Sequence, residues 1–113
     1  MYLSNRKLSK KFAELCKSKE IKLPVSDRIW LKTGWFIDSN PKNGEFKVPA
    51  YTTDEIFYEI RKHVVSIMLT SRVDIVEAYV TIKKNYDSLE KDKECCDALL
   101  KVAINMVTND LWE

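Results

Sequence analysis

The stretch Ile75-Val76-Glu77-Ala78-Tyr79-Val80-Thr81-Ile82-Lys83-Lys84 decides the fold, because its two readings lead to different architectures. As a strand it alternates: Val76, Ala78, Val80 and Ile82 face the core, and Glu77, Tyr79, Thr81 and Lys83 face away. As a helix it is capped by Asp74, Glu77 completes a capping box, and Val76 and Val80 align one turn apart. β-Branched side chains lose rotamer freedom in a helix and pack well on a pleated surface, which favours the strand. Val64 to Thr70 is apolar, β-branched and too short for a helix of its own. It then reads as the partner strand, with Ser71 to Asp74 turning the chain.

Upstream, Thr52 and Glu55 have the spacing of a capping box, and Tyr51 and Ile56 stand where a hydrophobic staple would form. Ile56, Phe57, Ile60 and Val64 supply the apolar stripe of a helix over about 53–63. Before it, Arg28 to Ile37 reads as a strand with Ile29, Leu31, Thr33, Trp35 and Ile37 on one face and Trp30, Lys32, Gly34 and Phe36 on the other. Asp38 to Gly44 is dense in turn formers, Glu45 to Val48 would return as a second strand, and Pro49 would stop it. The first helix is expected over 4–19, with Ser4 as N-cap and Leu8, Phe12, Leu15 and Cys16 on one stripe. The last is expected over Ser88 to Asn109, buried through Cys96, Leu99, Leu100, Ala103, Ile104 and Val107, with Leu111 and Trp112 docking back on the core.

The expected fold is therefore α+β, order α-ββ-α-ββ-α: one small antiparallel sheet of two hairpins covered by helices on one side. At 113 residues the chain fits one domain, with a core over about 28–110 behind the N-terminal helix. Such a length buries roughly 60–70% of its unfolded surface, enough for a core without metals or disulfides. The N-terminus lacks the apolar run of a signal peptide, and no stretch reaches the ~18 apolar residues of a membrane span. Three cysteines, Cys16, Cys95 and Cys96, make no disulfide framework, and the expectation is a reducing cytoplasm with no membrane contact.

Chemistry is thinly supplied. His63 is the one histidine, near a helix end where its cation suits the dipole, with no Cys or Ser partner in the pattern. Gly34 and Gly44 are the only glycines, so no phosphate-cradling loop exists, and metal-ligand spacings are absent. No catalytic residue, cofactor or metal is expected. Charge is uneven: residues 1–47 hold 11 Lys/Arg against 5 Asp/Glu, a surplus of +6, and the remainder is net −4. Arg6, Lys7, Lys10, Lys11 and Lys17 make a cationic helix back that could meet the phosphates of a nucleic acid. Against that stands the interaction reading, in which the sheet face away from the helices carries either Trp30 and Phe36 or Trp35 and Ile37, depending on register, as a bare aromatic surface for a protein partner or a second copy.

The run Val48-Pro49-Ala50-Tyr51-Thr52 into a helix, then two short strands, then Asp97-Ala98-Leu99-Leu100 on a last helix, resembles small proteins of phages, prophages and mobile elements of gut Bacteroidetes. The resemblance spans about residues 28–110 and implies this layout without implying an activity. The functional expectation is a non-enzymatic accessory domain that binds a protein partner or itself; the alternative is a nucleic-acid-associated protein using the first helix.

Overall fold

The computed structural model describes residues 2–30, 36–37, 48–83 and 86–112, with 36–37 as backbone only. Its elements run α1 (Arg6–Ser18), β1 (Ile29–Trp30), β2 (Phe36–Ile37), β3 (Val48–Pro49), α2 (Thr53–Arg61), β4 (Ser66–Ser71), β5 (Val76–Lys83), β6 (Tyr86–Asp92) and α3 (Cys95–Thr108). The class is α+β, as the patterning implies. The arrangement differs in detail: two antiparallel sheets form, ordered β2-β1-β3 and β4-β5-β6, in place of one sheet of two hairpins.

The stretch 76–83 is a strand, and its burial follows the alternation. Ala78, Val80 and Ile82 are buried, while Tyr79 and Lys83 are exposed. The main correction concerns the last helix, which starts at Cys95 and not at Ser88. Residues 86–92 pair with β5 along its length, from Val76↔Asp92 to Lys83↔Tyr86. Their charges imitate the polar first turns of a helix, but with period 2 they place Ser88 inward, where Asn105 Nδ2 donates to its hydroxyl at 2.8 Å.

Two corrections fall in the first half. Residues 29–30 and 36–37 pair antiparallel with each other, Trp30 opposite Phe36, so 28–37 is not one straight strand. Pro49 lies within β3 and not after it. Among the described residues β3 pairs only with β1, and an edge position tolerates the missing N–H. The expected turn over 38–44 and most of the return strand lie outside the described residues. At the N-terminus, Asn5 and not Ser4 caps α1, its Oδ1 accepting from the amides of Lys7 and Leu8. Ser4 is taken by tertiary structure: its N–H donates to Tyr51 O at 2.8 Å, and its hydroxyl accepts from Tyr51 N at 2.9 Å.

The helix before β4 forms as read, with both bonds of the Thr52/Glu55 capping box present. The Glu55 carboxylate also accepts from Ser26 Oγ and Asp27 N, anchoring the segment that leads into β1. α1 and α3 both end in a Schellman motif. Ile21 N donates to Cys16 O and Leu111 N to Met106 O, with Glu20 and Asp110 at φ 57° and 58°. Leu111 and Trp112 thereby turn back onto the core, where Trp112 meets Phe12 edge-on at 5.8 Å.

The core centres on α3. Ten of its fourteen residues are buried, packed by α1 and α2 on one side and by β5 and β6 on the other. Among them Asp97 is buried and accepts from Asn5 N at 2.7 Å and from the Tyr2 hydroxyl.

Leu99→Ala should lower unfolding free energy by about 2–5 kcal/mol in urea titration, because Leu99 is fully buried. Glu20→Gly should raise it by up to about 1 kcal/mol, since a left-handed backbone is costly for any residue with a Cβ; an unchanged or lower midpoint would contradict that origin.

Candidate interaction surface

The antiparallel registers place three cross-strand rows on the face of the second sheet that points away from α3. These are Ser66–Thr81–Asp87, Met68–Tyr79–Leu89 and Thr70–Glu77–Lys91. The middle row is apolar and open, with Met68 62%, Tyr79 38% and Leu89 49% exposed. Tyr79 donates its hydroxyl to Asp87 in the next row; that bond, then slight burial and the Asp87 charge, raises its pKa and keeps the phenol protonated. At the other rim Arg72 Nε bonds Glu77 Oε1 at 2.9 Å. The result is an apolar band between two polar rows.

The band runs out onto an open edge. β4 pairs only with β5 among the described residues, and five of its six residues are exposed. Leu69 shares the face of the buried Ala78, yet it stays 40% exposed because α3 lies over β5 and β6. No Lys, Glu or Pro interrupts Ser66–Ser71, so this edge lacks the usual guards against strand addition.

The residues singled out from sequence fall elsewhere. Trp30 is half-buried, and its indole N–H donates to Ser4 O at 3.0 Å, linking the first sheet to the N-terminal segment. Trp35 and the Phe36 side chain lie outside the described residues. On α1, Lys7, Lys10, Lys11 and Lys17 are exposed and Arg6 is half-buried. Among the described residues an open apolar sheet face lies on the second sheet. The alternation had already turned Tyr79 outward; Met68 and Leu89 were missed because β4 was read only as an apolar run and β6 as helix.

His63 sits just past α2 and stacks on Trp112, ring centroids 4.1 Å apart at 31°. A cleft of about 380 Å³ beside it is lined by Lys62, Val64, Val65, Ile82, Lys83 and Leu111 as well as His63, with no carboxylate in the lining among the described residues. Among the described residues no three His, Cys, Asp or Glu side chains gather to hold a metal ion. All three thiols are free. Burial pushes the Cys16 thiol up to about 11; burial, with the charge of Asp97 beside it, pushes Cys96 up to about 12. No helix among the described residues is long and apolar enough to cross a membrane. No protein-family model, curated protein or solved structure matches the chain.

The thiol shifts fix a sign for alkaline unfolding. In the unfolded chain these thiols ionise near 9.0, but in the folded chain they hold their protons to about 11 and 12. Stability is therefore intact below pH 9 and falls as pH rises through the folded values. Denaturant midpoints between pH 8 and 10.5 should drop, and the drop should be shallower in Cys96→Ala; equal slopes would remove the thiol as its cause.

Proposed function

We propose that the chain is a non-enzymatic accessory domain that binds protein through the outer face and edge of its second sheet. The Met68–Tyr79–Leu89 row carries this reading: three apolar side chains in register across three strands, left in water on the face turned away from α3. Polar rows on both sides give the patch the apolar-centre, polar-rim pattern of a protein interface. His63 stacked on an aromatic ring, above a cleft lined by lysines and apolar groups, supports a structural role for the histidine. Three free thiols support work in a reducing cytoplasm. The Val48–Thr52 and Asp97–Leu100 motifs support a phage or mobile-element origin.

A second reading keeps the nucleic-acid contact. Lys7, Lys10 and Lys11 stand exposed along α1, where they could meet phosphates. The indole of Trp30, turned to Ser4, leaves that helix without this aromatic as a stacking partner.

Leu89→Glu places a charge at the β6 end of the band without touching the core. The wild type should either gain mass with concentration in sedimentation, a gain abolished by Leu89→Glu or by Met68→Lys, or retain a protein from a lysate of the organism that carries the gene, a retention abolished by Leu89→Glu, each with circular dichroism intact. Self-association that survives both Leu89→Glu and Met68→Lys, or protein retention that survives Leu89→Glu, would refute the surface. DNA or RNA retention that weakens steeply with salt and vanishes in Lys10→Glu with Lys11→Glu would favour the second reading.

A further inference from the structure

We infer that the occupant of the β4 edge is a second copy of this chain, paired antiparallel across a two-fold axis at Met68; this rests on the second sheet being a protein-binding surface. A two-fold interface must be complementary to itself, and a strand edge meets that demand only if its sequence reads similarly in both directions about one residue.

Geometry limits the choice of centre. When two copies extend one sheet with both cores on the same side, opposed residues share a face, so the axis must pass beside a residue and not between two. Centred on Met68, Ile67 stands opposite Leu69 of the second copy, Ser66 opposite Thr70, and Val65 opposite Ser71. Two of these pairs match apolar to apolar and hydroxyl to hydroxyl. Centred on Leu69, Met68 would meet Thr70 and Ile67 would meet Ser71. Centred on Ile67, Ser66 would meet Met68. Only the Met68 centre keeps both the apolar and the hydroxyl residues matched.

The same centre answers two features of the monomer. On the core-side face, Leu69, left uncovered by α3, gains Ile67 of the second copy as a neighbour. On the outer face the two apolar rows join end to end, Met68 against Met68, into one band across six strands. Charge does not oppose the approach. β4 carries no charged side chain, and the cations that flank it are compensated within each copy, Lys62 by Glu59 at 3.1 Å and Arg72 by Glu77 at 2.9 Å.

Sedimentation of the full chain between about 1 μM and 1 mM should show a monomer–dimer equilibrium. Met68→Lys, which sets two ammonium groups against each other at the axis, should give a monomer throughout with unchanged circular dichroism. Met68→Cys should form a disulfide-linked dimer under mild oxidation, because directly opposed residues in an antiparallel pair have Cα atoms about 4.5–5.5 Å apart, within disulfide reach. Val73→Cys, at a fully exposed position beyond the strand, should cross-link far less. A wild type that stays monomeric to 1 mM overturns the inference; if it nonetheless holds a lysate protein that Leu89→Glu releases, the surface stands and only the identity of the occupant falls. A dimer that survives Met68→Lys and gives no Met68→Cys cross-link overturns the inference, and if Leu89→Glu also leaves it intact the surface falls with it.

Discussion

A helix that is apolar on nearly every side cannot meet water, and α3 is such a helix. Cys96, Leu99, Leu100, Ala103 and Val107 are all fully buried, as are Val102 and Met106 on its other sides. One sheet or one helix could cover only part of that circumference. The chain therefore supplies α1 and α2 from before it and the β5–β6 pair from just upstream, and these wrap the helix between them. The unequal cover of the second sheet follows from this. α3 is wide enough for two strands, and the third, β4, is left outside its shadow.

The buried polar residues Ser4, Ser9 and Asp97 serve one junction. Ser4, Tyr51 and Asp97 come from three distant parts of the chain and meet at the starts of α1, α2 and α3. Ser4 and Tyr51 exchange backbone and hydroxyl hydrogen bonds, Ser9 Oγ lies 2.6 Å from Ser4 Oγ, and Cys96 Sγ approaches Tyr51 O at 3.5 Å. Tyr51 closes the set by donating its hydroxyl to Pro24 O at 2.7 Å. Buried polar atoms are costly unless paired, and among the described side chains none is left without a partner. The junction thus fixes how the three helix starts sit without leaving unsatisfied groups behind.

Local physics was legible in the sequence, and tertiary physics was not. The Thr52/Glu55 box, the β5 alternation and the docking of Trp112 each depend on residues close together or on a clear period, and each was read correctly. Ser4 was misread because its partner is 47 residues away, which left Asn5 to cap α1. Ser88–Asp92 was misread because its charged residues suit a helix start as well as an edge strand; the neighbour β5 decides between them. The open face of the second sheet was not legible beyond Tyr79: Met68 and Leu89 join it only through strand registers and a placement of α3 that no local pattern records.

The tie between the first and last parts of the chain governs the order in which the molecule can be made. Tyr2 and Asn5 bond Asp97, and Lys19 bridges to Asp110 at 2.8 Å, contacts that span most of the sequence. On a ribosome, α1 emerges on the order of 10 s before α3 is complete, at ordinary elongation rates. Within that interval Phe12 gains Tyr51 to pack against, ring centroids 6.2 Å apart, but lacks α3 and Trp112, which complete its cover. Until α3 follows, α1 is only partly covered, and completion of the core waits on the helix that the other elements wrap.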